Sequence, residues 1–283
     1  MLIAPLNLDL LKEVLAVPTH YSDTSAMTHY LLNYGSRHGW STSTDKWGNV
    51  FFDKGTAAIK PLVVAHIDTV HPVKDLLVHE HAGRLFATDT AGELTGIGGD
   101  NKTGVYTCLH LMHGAENLKA AFFTGEEIGG IGARNADADW FDDVGWCMEF
   151  DAPGSGIFAY SSGGVQLFKD EGKAIKRIER VLQFHRLTRW QHHPGTDVMV
   201  LKQRFGFTCF NLPSGYYNFH TDNEFVYIGE VGTACEAGED IIGALGCASY
   251  PFTAPKVCTE SKHHMVTPYS GSTPPDHEDH HLG

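Results

Sequence analysis

A chain of 283 residues, 42% apolar and 19% charged, has the composition of a globular protein with a sizeable core. Its formal net charge of −13 argues against nucleic acid and anionic membrane as partners, since both recruit positive surface. No apolar run reaches the roughly 18 residues that a membrane-spanning helix needs.

Along the chain, the first residues mix Asp9, Lys12 and Glu13 with leucines, as an amphipathic helix does and a signal peptide does not. Residues 7–17 and 23–38 space their apolar side chains helically, with Pro18 and Thr19 between them. Residues 50–52 read as a short strand. Residues 61–66 read as a buried central strand, because Leu62, Val63, Val64 and Ala65 are continuous and apolar. An edge strand is predicted at 85–87, a helix at 104–113 and a strand at 119–123. Helical residues follow at 133–135, and a strand at 144–150. The stretch 156–168 holds two strand-like pieces that fit a hairpin through Ser161-Ser162-Gly163-Gly164. A helix at 171–184 carries Ile175, Ile178, Val181 and Leu182 as one stripe, and the cationic residues between Lys169 and Arg189 read as its solvated side. A short helix at 197–204, a strand at 208–212 and a final helix at 228–245 complete the pattern.

Strands alternate with helices throughout. This predicts an α/β fold, a three-layer αβα sandwich around a mostly parallel central sheet. Residues 1–250 show no linker and read as one domain. Residues 251–283, rich in Pro, Ser, Thr and His, read as a flexible tail. The six cysteines form no CxxC pair and fit reduced thiols of a cytoplasmic protein.

Polar groups collect at the carboxyl ends of the predicted strands, where open α/β sheets hold ligands. Strand 61–66 runs into His66-Ile67-Asp68, and residues two apart on extended chain face the same way. Strand 119–123 ends in Thr124-Gly125-Glu126-Glu127, and strand 144–150 ends in Asp151. Asp100 follows a glycine-rich loop, and His220 lies in the Gly- and aromatic-rich loop after strand 208–212. His66, Asp100, Glu127, Asp151 and His220 therefore converge on one rim. Clustered carboxylates repel, and bound cations relieve them. Two imidazoles with carboxylates suit zinc, with cobalt or manganese as weaker alternatives.

The segments Ala65-His66-Ile67-Asp68-Thr69-Val70, Gly98-Gly99-Asp100-Asn101-Lys102-Thr103-Gly104, Thr124-Gly125-Glu126-Glu127, Met148-Glu149-Phe150-Asp151 and Asn218-Phe219-His220-Thr221-Asp222-Asn223-Glu224 resemble, in order, the motifs of the co-catalytic zinc peptidases of the M20 family, within the wider M20/M28/M42 clan. The resemblance spans roughly residues 8–245. It implies the zinc-peptidase (phosphorylase/hydrolase-like) fold and two Zn2+ per chain. One ion would be held by His66, Asp100 and Asp151, the other by Asp100, Glu127 and His220, with Asp100 bridging. It further implies that Asp68 accepts a hydrogen bond from the far nitrogen of His66, that Glu126 is the general base for a metal-bridging hydroxide, and that the Asp100–Asn101 peptide is cis.

Two-domain members of the family insert about a hundred residues between the Asp ligand and the last His. Asp151 and His220 are 69 apart here. The chain is therefore expected to be a lidless catalytic domain, with stretch 156–212 serving the core sheet. Without a lid histidine, the oxyanion donor must come from elsewhere. Tyr216, Tyr217, His192 and His193 are the candidates, and Tyr217 is favoured because its loop must pass the metals. The expected activity is that of an aminopeptidase on peptide substrates. A carboxypeptidase or an N-acyl-amino-acid deacylase is the alternative within enzymes, and a non-catalytic metal-stabilised protein the alternative outside them. Monomer and homo-oligomer both stay open.

Overall fold

Four strands of the central sheet, β3 (Lys60–His66), β7 (Leu118–Phe123), β8 (Val144–Ala152) and β12 (Thr208–Pro213), are buried along their whole lengths. Such strands need cover on both faces. In the computed structural model, which describes residues 5–71 and 75–253, they run parallel in the order β7-β3-β8-β12. β2 (Val50–Lys54) and β1 (Ser41–Thr44) extend the β7 side antiparallel, and mostly exposed Ser and Thr mark β1 as an edge. The predicted tail from residue 254 onward lies outside the described residues.

The helices supply the cover. α1 (Leu8–Ala16) is capped by Asn7, whose side chain accepts from the Leu10 N–H at 3.1 Å, and it packs on α3 (Gly99–Gly114). α2 (Ser25–Arg37) lies over β1 and β2, and α3 lies along β3, β7 and β8. Neighbouring residues of β8 point to opposite faces of the sheet. Phe150 faces α7 (Ile228–Leu245), where a Cβ on Gly238 would come within 3.0 Å of its ring. Glu149 reaches instead to α6 (Asp197–Phe205), accepting the Val198 N–H at 3.0 Å. Helices therefore flank the sheet on both sides. The short α4 (Ile131–Asn135) packs against α6. No described helix is long and apolar enough to cross a membrane.

Two smaller sheets accompany the central one. β4 (Leu77–His81), β5 (Arg84–Thr88), β13 (Tyr216–Tyr217) and β14 (Phe225–Tyr227) pair in the order β13-β14-β5-β4, with β6 (Leu94–Thr95) also on β5. The segment expected as an edge strand at 85–87 is thus flanked on both sides. Its buried Leu85 and Ala87 alternate with half-buried Phe86, as in a sheet covered on one face. The predicted hairpin is β9 (Ile157–Ser162) and β10 (Val165–Gln166), and β11 (Arg189–His193) runs parallel to β9 after crossing over through α5 (Lys173–Phe184). Of the strands in the stretch expected to serve the core sheet, only β12 joins it; β9, β10 and β11 form a sheet of their own. Arg-Trp-Gln-His-His in β11 is too polar for a strand covered on both faces. α5 buries Ala174, Ile175, Ile178 and Leu182 and leaves Lys173, Lys176, Arg177 and Arg180 exposed, the predicted solvated side.

Candidate metal centre

β3 delivers His66 to the rim almost fully buried. Its Nδ1 lies 3.0 Å from the backbone carbonyl oxygen of Asp68. A carbonyl only accepts, so Nδ1 carries a proton and Nε2 is the nitrogen left for a metal. That nitrogen faces Asp100 Oδ1 at 3.1 Å and Asp151 Oδ1 at 3.5 Å. Asp151 ends β8, and Asn211 on neighbouring β12 pins its backbone: Asp151 N–H donates to Asn211 Oδ1 (2.9 Å), and Asn211 Nδ2 donates to Asp151 O (3.1 Å).

Asp100 sits where the glycine loop turns into α3. Gly98 is left-handed (φ +69°), and a Cβ there would press on the Thr69 methyl at 2.9 Å. The Asp100–Asn101 peptide is cis. The second oxygen of Asp100, Oδ2, lies 3.5 Å from His220 Nε2, which is 3.0 Å from Glu127 Oε1. The predicted residues thus come together as two groups, His66/Asp100/Asp151 and Asp100/Glu127/His220, with the donor atoms of each group within 4.8 Å of one another. Asp100 belongs to both and turns one oxygen to each.

The surrounding charges set the protonation of this cluster. Burial alone would lower the His66 pKa, but Asp151, Asp100 and Asp68 carry it well above the ordinary imidazole value. Burial pushes Asp151 well up, and the Asp100 charge adds to this. Burial also opposes ionisation of Asp100, yet the hydrogen bond and charge of His66 hold it below the usual carboxylate range. The hydrogen bond to Glu127 raises His220 against its burial. Glu126 is lifted to about 8, chiefly by burial, with Asp100, Glu149 and Glu127 adding and His66 opposing.

Two expectations change at the level of atoms. The Asp68 carboxylate is not the nearest partner of His66; its Oδ1 is 3.7 Å from Nδ1, farther than the Asp68 carbonyl. It accepts instead the backbone N–H groups of Glu126 (3.1 Å) and Glu127 (3.2 Å), so it shapes the loop carrying both glutamates. The local turn brings Asp68's own carbonyl to the imidazole first. Tyr217 also points elsewhere, because adjacent residues of β13 face opposite sides. Its hydroxyl donates to Glu230 at 3.0 Å and its ring stacks on Phe225. Tyr216 turns inward, its hydroxyl 3.4 Å from Asp151 Oδ1. Of the two histidines named with them, His192 Nδ1 is engaged with Ser161 Oγ at 2.5 Å. His193, at the end of β11, is near enough to Asp100 to feel its charge, while burial keeps its pKa low.

Glu224 and Asn211 are support residues that sequence reading gave no role. Glu224 is nearly fully buried and accepts from Gly98 N–H (2.7 Å) and Asp100 N–H (3.0 Å). The sequence signal for Glu224 was its place at the end of the motif that carries His220. Glu224→Ala is expected to destabilise the fold by about 1–3 kcal/mol, since two buried N–H groups lose their acceptor. Urea denaturation measures this, and an unchanged midpoint would contradict the anchoring role.

Two imidazole nitrogens and three carboxylates, one of them shared, form a donor set that fits a pair of zinc ions. The cluster also dictates a pH response. A carboxyl with a folded pKa above its unfolded one binds more protons when folded, so stability falls as pH rises between the two values. Glu126 and Glu224, each raised from 4.5 to about 8, and Glu149, raised from 4.5 to about 7, all act in this direction, each mainly through burial. Protein stripped with a chelator is expected to lose stability as pH rises from 4.5 to about 8, and zinc to remove much of that loss. Denaturation midpoints along a pH series, with chelator or with zinc, test it. A chelated protein as stable at the upper end as at the lower would contradict it.

No protein-family model matches the chain, and no curated protein matches it. Solved structures do. Aminopeptidase PepT from Bacillus cereus superposes with a TM-score of 0.71 at 14% identity, over 84% of this chain and 97% of that one. A tripeptidase from Staphylococcus aureus gives 0.71 at 14% identity, over 83% and 96%. An aminopeptidase from the archaeon Desulfurococcus kamchatkensis gives 0.60 at 15% identity, over 83% and 93%. The five groups at the rim are therefore carried on a mixed α/β architecture that this chain shares with those peptidases.

Proposed function

We propose that the protein is a co-catalytic di-zinc exopeptidase of the M20 type, and specifically an aminopeptidase. The observation that carries this reading is the split Asp100 carboxylate, one oxygen toward His66 and the other toward His220. Two zinc ions held there would polarise the scissile carbonyl and make a water more acidic. His66, Asp100 and Asp151 would hold one ion, and Asp100, Glu127 and His220 the other.

The remaining steps belong to the chain. Glu126 stands outside both ligand groups, and its carboxylate makes no hydrogen bond to a described residue. It is free to take a proton from the attacking water and return it to the leaving amine. Asp68 fixes the backbone on which Glu126 rides. His193 is taken as the oxyanion donor in place of Tyr217, whose hydroxyl is turned to Glu230. That residues 1–250 act as one catalytic domain without an inserted lid belongs to the same proposal. So does a cytoplasmic setting, which the free Cys108, Cys147, Cys209, Cys235 and Cys247 support.

Cleavage at an amino terminus is favoured over the carboxypeptidase and deacylase alternatives by where the cations lie. Those activities need a fixed positive group for the substrate carboxylate. Lys102 is buried with its Nζ donating to the Leu15 carbonyl (2.8 Å), which turns it away from a substrate carboxylate. The zinc-loaded protein is expected to hydrolyse leucine p-nitroanilide and to leave N-acetyl-leucine and N-acylated peptides intact. Preference for the acylated substrates would overturn the aminopeptidase assignment and keep the metal centre.

A further inference from the structure

Large apolar side chains left in solvent stand beside the candidate metal centre. Tyr21, Trp47 and Ile128 are 44%, 41% and 49% exposed. They come from three loops far apart in the chain, and each is fastened to a segment that carries the site. Tyr21 N–H donates to the Thr69 carbonyl (3.0 Å), one residue after Asp68. Thr69 Oγ1 returns a bond to the Thr19 carbonyl (2.7 Å), which doubles that attachment. The Trp47 carbonyl accepts the Thr124 hydroxyl (2.9 Å), two residues before Glu126. Ile128 directly follows Glu127, and a Cβ on Gly125 would lie 3.5 Å from its Cγ1. Asp68 joins the two segments by accepting the N–H groups of Glu126 and Glu127. All three side chains therefore border the loop on which the proposed base and one candidate ligand ride. Single exposed apolar residues scattered over a surface mean little, but several of them around one polar site mark ground that another apolar group covers.

We propose that Tyr21, Trp47 and Ile128 form a specificity wall at the metal centre and select substrates whose amino-terminal residue is large and apolar. This deepens the exopeptidase reading and rests on it. The metals would hold the scissile carbonyl, which is alike in every peptide. Discrimination then falls to what the neighbouring side chain meets. A leucine or phenylalanine side chain laid against these three groups leaves water together with them, while glycine brings nothing to cover them.

Calorimetric titration of the zinc-loaded protein with leucine hydroxamate and glycine hydroxamate tests the wall without measuring turnover. A hydroxamate chelates zinc through its two oxygens, so each probe reports the metal pair and the difference between them reports the side chain. Leucine hydroxamate is expected to bind at least about tenfold tighter. Replacing Tyr21, Trp47 and Ile128 together by Ala should bring the two affinities within about twofold of each other, with zinc content unchanged. Phe184→Ala, which removes an exposed apolar side chain at the end of α5, should leave the ratio as it was. Equal binding of the two hydroxamates overturns the wall and leaves the metal centre standing. A ratio that survives the triple replacement, or one that Phe184→Ala abolishes as well, places the apolar contact elsewhere and overturns the assignment. If neither hydroxamate binds, the metal centre itself fails and the wall falls with it.

Discussion

Replacing Glu126 with Gln is expected to lower kcat on leucine p-nitroanilide by about 10²–10⁴-fold, the range a positioned general base contributes, while the protein keeps both metal ions. The substitution is nearly isosteric. The backbone N–H of residue 126 still donates to Asp68 Oδ1, so the neighbouring Glu127 keeps its place beside His220. What disappears is a carboxylate that can take up a proton. The variant also removes an acid that burial lifts to about 8, so the chelated protein should lose part of its pH-dependent instability. Stopped assays at saturating substrate and elemental analysis of the dialysed protein give the two readouts. Turnover within a few-fold of the parent would remove Glu126 from the chemistry. Loss of metal together with turnover would make it a ligand and not a base.

The second large effect concerns the shared carboxylate. Asp100→Ala should strip both ions, and His220→Ala only one. Asp100 is the single side chain common to the two groups, and each of its oxygens faces a different imidazole. Its removal should weaken metal binding at both positions by more than the roughly 10–100-fold that loss of an outer partner costs. His220, more exposed than the other ligands, serves one position alone. His66, Asp100 and Asp151 would remain assembled in the His220 variant. Zinc content per chain after equilibrium dialysis separates the cases. Equal retention in the two variants would show that the two positions do not share Asp100.

The strands of the central sheet were legible because burial on both faces demands unbroken apolar runs, and Leu62 to Ala65 is such a run. The clustering of the candidate ligands was legible for a related reason: a charged group immediately after an apolar strand has little structural purpose there. What escaped reading depended on directions. Whether Asp68 offers His66 its carboxylate or its carbonyl is decided by one turn, and sequence carries no sign of it. Tyr216 and Tyr217 are chemically alike, and the pleat of a two-residue strand chooses which one faces Asp151. The anchoring role of Glu224 was not legible because its partners, Gly98 and Asp100, lie more than a hundred residues away in the chain. The small sheet of β9, β10 and β11 was assigned to the core because its crossover through α5 matches the pattern of a core unit. Only the polarity of β11 distinguishes it.

His66, Glu127 and Asp151 sit on or just after strands of the central sheet, and Asp100 sits at the mouth of the helix laid over it. His220 alone comes from the connection between β13 and β14, which belong to a different sheet. An ion held by Asp100, Glu127 and His220 would therefore add a second tie between sheets already joined by the hydrogen bonds of Glu224 to Gly98 and Asp100. Any ion bound to the native form and not to the unraveled chain deepens the native well by mass action. Here that gain would fall on the seam where the peripheral ribbon meets the main framework, so that the proposed chemistry and the closure of that seam would share one fastening.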